Sequence, residues 1–331
     1  MLIDYVSLVG GLVVLIVAGD VLVRGSVSIA ERLGIPTLVI GLTIVAFGTS
    51  APELVISLGA ALDGLSGIAI GNVVGSNIAN VLAVLGLPAL FAATSCNENG
   101  AVRNSVFMVA ITAIFIGMAF HSPLSRFDGT ILLMLLALFL WESVRATRKH
   151  RAQNGGAAAV ADGDGDEELP FDEVEGVPEN VGLAILFIVL GLIGLPLGAH
   201  FTIEGASALA RNWGVSDAVI GLTVVALGTS LPELMTSLMA AIRGHAAVAL
   251  GNVIGSNIFN LVAIMGITSM VVPLQVPPEV LRLDLWAMLA CALLVLAFAA
   301  FKVTIRWPSG IILCALYALY IFVVFQTGKV A

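Results

Sequence analysis

The chain has 331 residues, of which 59% are apolar and 11% charged, and a mean hydropathy of +1.08. Soluble domains carry about a quarter charged residues, so this composition belongs to a lipid-embedded protein and excludes a large soluble domain, a nucleic-acid-binding surface and a disulfide scaffold. The net charge of −8 is concentrated: nine of the 22 acidic residues fall between Asp162 and Glu179, and the remaining 13 nearly balance 14 Lys and Arg.

Apolar runs separated by polar breaks fall near 5–23, 36–62, 66–92, 103–121, 126–146, 180–210, 215–242, 246–273, 281–301 and 307–326. A crossing helix needs about 20 apolar residues, so about ten transmembrane helices are expected. The first run follows no basic segment and ends in Gly19-Asp20, the pattern of a retained helix rather than a cleaved signal. With both termini outside, the inner segments hold Arg24, Arg32, Arg103, Arg145, Arg148, Lys149, Arg151, Arg243, Lys302 and Arg306. The outer segments then hold Arg126, Arg211, Arg282 and Lys329, and the excess of inner basic residues favours this orientation in a plasma or bacterial inner membrane. Trp141, Trp213, Trp286 and Trp307 fall at or near predicted span ends, as interfacial aromatics do. Cys96, Cys291 and Cys314 are odd in number and widely spaced, and they read as small core residues.

Residues 147–179 are rich in Gly, Ala and acid, and read as a solvated cytoplasmic linker between membrane units 1–146 and 180–331. Asp162, Asp164, Asp166 and Glu173 occupy four positions of a calcium-loop pattern, but Glu167 stands where the turn glycine belongs and Pro170 interrupts the loop.

Self-similarity carries the most information. Residues 41–80 align without gaps to 221–260 at a constant offset of 180, with 25 of 40 positions identical. The cores are GLTIVAFGTSAPEL against GLTVVALGTSLPEL, then GNVVGSNIAN against GNVIGSNIFN. Five spans separate equivalent positions, and an odd number inverts the second copy across the bilayer. The turns agree, Asp63 in the first copy standing where Arg243 stands in the second. Inverted repeats with interrupted helices are a transporter architecture, with the substrate site at the repeat interface near mid-membrane.

Glu53 and Glu233 are expected mid-span, where charged residues cost about 2.5–3.5 kcal/mol on insertion scales. Pro52 and Pro232 break an unbroken helix at roughly 3 kcal/mol each, Gly48 and Gly228 loosen the same turns, and broken helices free carbonyl oxygens for a cation. Thr49 and Ser50 lie four and three residues before Glu53, and Ser76 and Asn80 share a face of the next helix. Thr229, Ser230, Ser256 and Asn260 repeat the pattern. Asn72, Asn252, Asn77 and Asn257 remain open between cation contact, packing and backbone capping. Carboxylates, hydroxyls, amides and carbonyls without His or Cys make a hard-cation cage suited to Ca²⁺ or Na⁺.

These motifs resemble the alpha repeats of the cation/calcium exchanger superfamily, the sodium/calcium antiporters of prokaryotic type, over nearly the whole chain apart from the linker. The resemblance implies that Glu53 and Glu233, with the carbonyls of Thr49 and Thr229, bind Ca²⁺. It places Na⁺ at overlapping sites from Ala46, Ser50, Glu53 and Ser76 on one side and Ala226, Thr229, Ser230, Glu233 and Ser256 on the other, with Asn80 and Asn260 in the middle. It also implies alternating access, the helices near 5–30 and 180–210 sliding against the rest. Several family members carry Asp where this chain has Asn260, which bears on the middle cation position and weakens a potassium-dependent reading.

The resulting expectation is not an enzyme but an antiporter exchanging Ca²⁺ for Na⁺, with proton/calcium exchange through the same glutamates as the alternative. No cofactor is called for; Ca²⁺ and Na⁺ are substrates, the bilayer is the surroundings, and no nucleic acid or obligatory protein partner is indicated. A channel would ordinarily show rotational symmetry. An intramembrane hydrolase would need a nucleophile–base pair or metal-binding histidines, yet His121, His150, His200 and His245 all lie outside the repeated motifs.

Overall fold

The computed structural model describes residues 2–158, 178, 180–213 and 226–327. It is an all-α polytopic membrane protein, as the composition requires. We number its helices α1 (Leu2–Arg32), α2 (Thr37–Thr49), α3 (Ala51–Leu62), α4 (Ser66–Leu90), α5 (Ala101–Ala119) and α6 (Arg126–Ala158). They continue as α7 (Val181–Asn212), α8 (Ala226–Thr229), α9 (Leu231–Ile242), α10 (Ala246–Val271), α11 (Val280–Ala300) and α12 (Trp307–Thr327). Among the described residues eight helices are long and apolar enough to cross a bilayer, and α2 with α3, bent by 44°, makes a ninth crossing. α9 is the repeat-mate of α3, and most of the expected run 215–242 ahead of α8 lies outside the described residues.

Two expectations shift. The fifth span was expected to end near 146, but α6 continues to Ala158. Ala, Arg, Lys and Gln extend an already nucleated helix at little cost even without an apolar face. The calcium-loop residues Asp162 to Glu173 lie outside the described residues. The break in the second span also sits one step earlier than a proline kink would place it. Ser50 leaves the helix at φ −83°, ψ 3°, α3 restarts at Ala51, and Pro52 falls in a first turn, where its missing N–H costs nothing. Ser230 repeats this at φ −89°, ψ 6°.

The two repeats are interleaved, not set side by side. Thr94 pairs with Ile305, and the position 180 residues on, Leu274, bridges Leu124. α6 packs on the end of α10, and α12 packs on the end of α4. Reciprocal contacts of this kind are what a two-fold relation between the repeats produces.

α1 and α7 lie along one another through small residues seven apart. A Cβ on Gly11 would sit 2.8 Å from the Gly198 carbonyl, and one on Gly205 would sit 2.6 Å from the Asp4 carbonyl. Such seams bring helix backbones into van der Waals contact, the main driving force where lipid is as apolar as the side chains. α2 meets α10 in the same way: a Cβ on Gly255 would lie 2.6 Å from the Leu42 carbonyl. The free cysteines Cys96 and Cys291 are buried, as expected of core residues, whereas Cys314 on α12 is only half-buried.

Candidate cation site

Each broken span starts a fresh helix at mid-molecule and carries its glutamate in that first turn, where the positive end of the helix dipole favours an anion. Glu53 is 1% exposed and Glu233 is fully buried. Pro52 and Pro232 cannot donate to the carbonyls of Gly48 and Gly228, so these oxygens are released from the helical ladder. The glycines themselves make room: a side chain at Gly48 or Gly228 would collide with Leu192 or Ile203 of α7.

Side chains from the opposite repeat close the site. Ser50-Ala51-Pro52-Glu53 has the spacing of a capping box, yet the Ser50 hydroxyl does not cap its own helix. It crosses to the other repeat and donates to Glu233 Oε1 at 3.2 Å. The Thr49 hydroxyl lies 3.2 Å from Asn252 Oδ1 and 3.3 Å from the Ala46 carbonyl. That carbonyl also accepts from the Ser50 N–H at 3.0 Å, and the single Thr49 hydroxyl hydrogen can serve only one of its two acceptors at a time. Ala226 opens α8, and Thr229 and Ser230 are buried beside the second break. Ser76 and Ser256 are buried on α4 and α10.

The asparagines left open by the sequence divide into two sets. Asn72 Nδ2 donates to the Glu53 carbonyl at 3.3 Å and to Ser57 Oγ at 2.9 Å. Asn252 Nδ2 repeats this with the Glu233 carbonyl at 3.2 Å and Ser237 Oγ at 3.0 Å. These bonds to the glutamate carbonyls and the serine hydroxyls pin each glutamate's helix against the helix that follows it. Ser57 and Ser237 were missed by the sequence reading, although both stand four residues after a glutamate. The second set, Asn77, Asn80, Asn257 and Asn260, forms a cross-repeat group where α4 and α10 each change to a π-turn, at Asn80–Val84 and Asn260–Ile264.

Seven buried oxygens of these motifs have no hydrogen-bond partner among the described residues: both carboxylate oxygens of Glu53, Oε2 of Glu233, the hydroxyls of Ser230 and Ser256, and Oδ1 of Asn80 and Asn260. Leaving one such group unpaired costs about 1–3 kcal/mol, so seven in one region would be a large and pointless loss in a purely structural core. Acceptors without donors are the complement of a desolvated cation. No group of three or more His, Cys, Asp or Glu is gathered among the described residues, so soft-metal chemistry has no ligand set there.

Comparison with known proteins gives the family. The profile of the sodium/calcium exchanger protein family matches residues 3–144 and 183–326. Inner membrane protein YrbG of Escherichia coli is 33% identical over 296 residues, covering 89% of this chain and 88% of that protein. Sodium/calcium exchanger MaX1 of Methanosarcina acetivorans is 33% identical over 348 residues, covering 98% and 99%. A solved structure of the sodium-calcium exchanger NCX_Mj superposes with a TM-score of 0.80 at 31% identity, covering 97% of this chain and 98% of that one. With twin inverted motifs, a two-fold related fold and an all-oxygen site between its halves, the chain belongs to the sodium/calcium exchanger family.

Proposed function

We propose that this protein exchanges Ca²⁺ for Na⁺ by alternating access, with Ca²⁺ extrusion as the direction. The seven unpartnered oxygens carry the reading. Two carboxylates supply −2, which one Ca²⁺ or two Na⁺ balance, so the two loads compete for one charge and exclude one another. In a proton/calcium cycle the proton-loaded state would use only the carboxylates and leave the neutral oxygens unpartnered. The four neutral unpartnered oxygens, from Ser230, Ser256, Asn80 and Asn260, fit a counter-ion that takes oxygen ligands, which favours Na⁺.

An asymmetry supports the alternating-access part. Gly19 of α1 lies against α9, where a Cβ would meet the Met235 main chain at 3.2 Å, and Asp20 pairs with Arg243 at the end of α9. The corresponding face of α3 is uncovered: Val55, the repeat-mate of Met235, is 71% exposed. The α1–α7 pair therefore leans on one half of the pseudosymmetric core. The opposite state follows by exchanging the two halves. With both termini outside, the covered end is cytoplasmic, which makes this an outward-open arrangement.

The decisive test is Ca²⁺ uptake into proteoliposomes loaded with Na⁺, at equal pH on both sides. Uptake that needs the Na⁺ gradient and ignores an imposed pH gradient is expected. Uptake that follows the pH gradient and ignores Na⁺ would replace this reading with proton exchange. The linker is proposed to be a tether. Deleting Asp162–Glu175 should leave exchange within about twofold of the parent, as surface segments outside any packed core tolerate change. A large loss of Ca²⁺ sensitivity in that variant would revive the calcium-loop reading.

A further inference from the structure

Asn77 and Asn257 face each other across the repeat interface. Asn77 Nδ2 donates to the Asn257 carbonyl at 3.2 Å, and Asn257 Nδ2 donates to the Asn77 carbonyl at 3.3 Å. Both carbonyls lie just before a π-turn, at Asn80–Val84 and Asn260–Ile264. Each amide is thus held by the opposite main chain through its nitrogen, with Asn77 Nδ2 also 3.6 Å from Met288 Sδ, which leaves the oxygens to act outward. Asn77 Oδ1 accepts from Asn260 Nδ2 at 2.9 Å, and Asn257 Oδ1 accepts from Asn80 Nδ2 at 3.1 Å. All four residues are buried.

The consequence lies at the far end of each ligand amide. With Nδ2 committed, Asn80 and Asn260 must present Oδ1, and both oxygens are buried without a partner among the described residues. A half-turn of either amide would set oxygen against oxygen at Asn77 or Asn257 and aim an NH₂ group at the cations. We propose that Asn77 and Asn257 are positioning residues that fix the Asn80 and Asn260 amides oxygen-first toward the transported cations. This rests on the exchange reading above. It also gives an order to the ring: backbone sets Asn77 and Asn257, and these set the two ligands.

Removing the Asn77 acceptor should let the Asn260 amide turn. Asn77→Ala is expected to raise the KM for Ca²⁺ about tenfold, one charge-free ligand's worth of discrimination, with kcat changed by no more than about twofold. A carboxylate at residue 260 carries oxygen on both branches, so orientation no longer matters there. Asn260→Asp should therefore restore the KM of Asn77→Ala to within about threefold of the parent, while giving little or no gain where Asn77 remains and opposes oxygen to oxygen. The added charge is the same in both backgrounds, so the difference between them isolates the contact with Asn77. A residue that served only packing would lose folded yield, and a further buried acid would deepen the loss.

Should Asn77→Ala fail to fold, the two-fold mate Asn257→Ala with Asn80→Asp makes the same test. Ca²⁺-induced thermal stabilisation of purified protein reads the same effect without transport. A parent that Ca²⁺ stabilises equally with or without Asn77 and Asn257, or double variants no better than the single alanine ones, overturns the positioning role alone. A parent that Ca²⁺ does not stabilise at all overturns the exchange reading and the positioning role with it.

Discussion

Glu53→Gln and Glu233→Gln are each expected to reduce Ca²⁺ flux by about a hundredfold or more while leaving the protein inserted and folded. Each substitution keeps the shape of the side chain and removes one of the two charges that balance Ca²⁺. One carboxylate then leaves a net positive charge in a site shielded from water, where removing one partner of a buried charge pair costs about 3–5 kcal/mol, and every 1.4 kcal/mol is a factor of ten. The same variants should lose Ca²⁺-induced thermal stabilisation. Without cations they should be at least as stable as the parent, because a buried anion with no counter-charge has been replaced by a neutral amide. Glu233→Gln has a second consequence. Ser50 donates to Oε1 of Glu233, and an amide oxygen there can still accept that bond, so the first repeat's break should survive. Full exchange by either variant would remove the shared-charge site.

Much of this site was legible in the sequence because it was written twice. An offset of 180 residues singles out Glu53 and Glu233, the hydroxyls beside them and the asparagines one helix later, and an odd number of intervening spans makes the copies inverted. What each asparagine does was not legible. Asn72 and Asn77 are both polar positions on one helix, yet one pins the preceding glutamate helix and the other pairs with its own repeat-mate. Only the packing of α4 against α10 separates these roles. The π-turns at Asn80 and Asn260 leave no mark in composition or period, since a one-residue change of register is settled by which carbonyls find donors. The break at Ser50, two residues ahead of Pro52, was hidden because a proline inside a helix and a proline at a helix start look alike in sequence. The lean of the α1–α7 pair was beyond reach for a different reason. The two states of the proposed cycle share one sequence, and nothing in it says which is occupied.

Breaking the Asp20–Arg243 pair should shift the balance between those states. Asp20 lies on α1 and bonds Arg243, just past the end of α9, and its other carboxylate oxygen is 3.1 Å from Arg24 Nη2. The Arg24 guanidinium sits 5.4 Å over the Phe187 ring of α7, so one cluster joins α1, α7 and the turn after the glutamate helix of the second repeat. Burial first, and then the Arg243 charge, hold the pKa of the neighbouring His245 below the ordinary histidine value. Positions 180 residues away hold His200 for Asp20, Glu204 for Arg24 and Asp63 for Arg243, so the two acid–base charges that can be compared, at 24/204 and 243/63, are reversed. There the lock is open, with the His200 and Glu204 side chains 71% and 64% exposed and only 3.9 Å from one another. Exchanging the halves of the core would bring residue 200 to residue 63, as residue 20 is brought to residue 243 here. Exposed ion pairs are worth about 0–1 kcal/mol and buried ones several when a single partner is removed. For these half-buried side chains Arg243→Ala should move the equilibrium about tenfold toward the opposite state. A cysteine pair at His200→Cys and Asp63→Cys reads that movement directly, by the rate of induced disulfide formation. The rate should rise about tenfold when Arg243→Ala is added, and fall back when the pair is restored in reverse by Asp20→Arg with Arg243→Asp. Equal cross-linking rates in all three backgrounds would show that the Asp20–Arg243 contact holds no state in place.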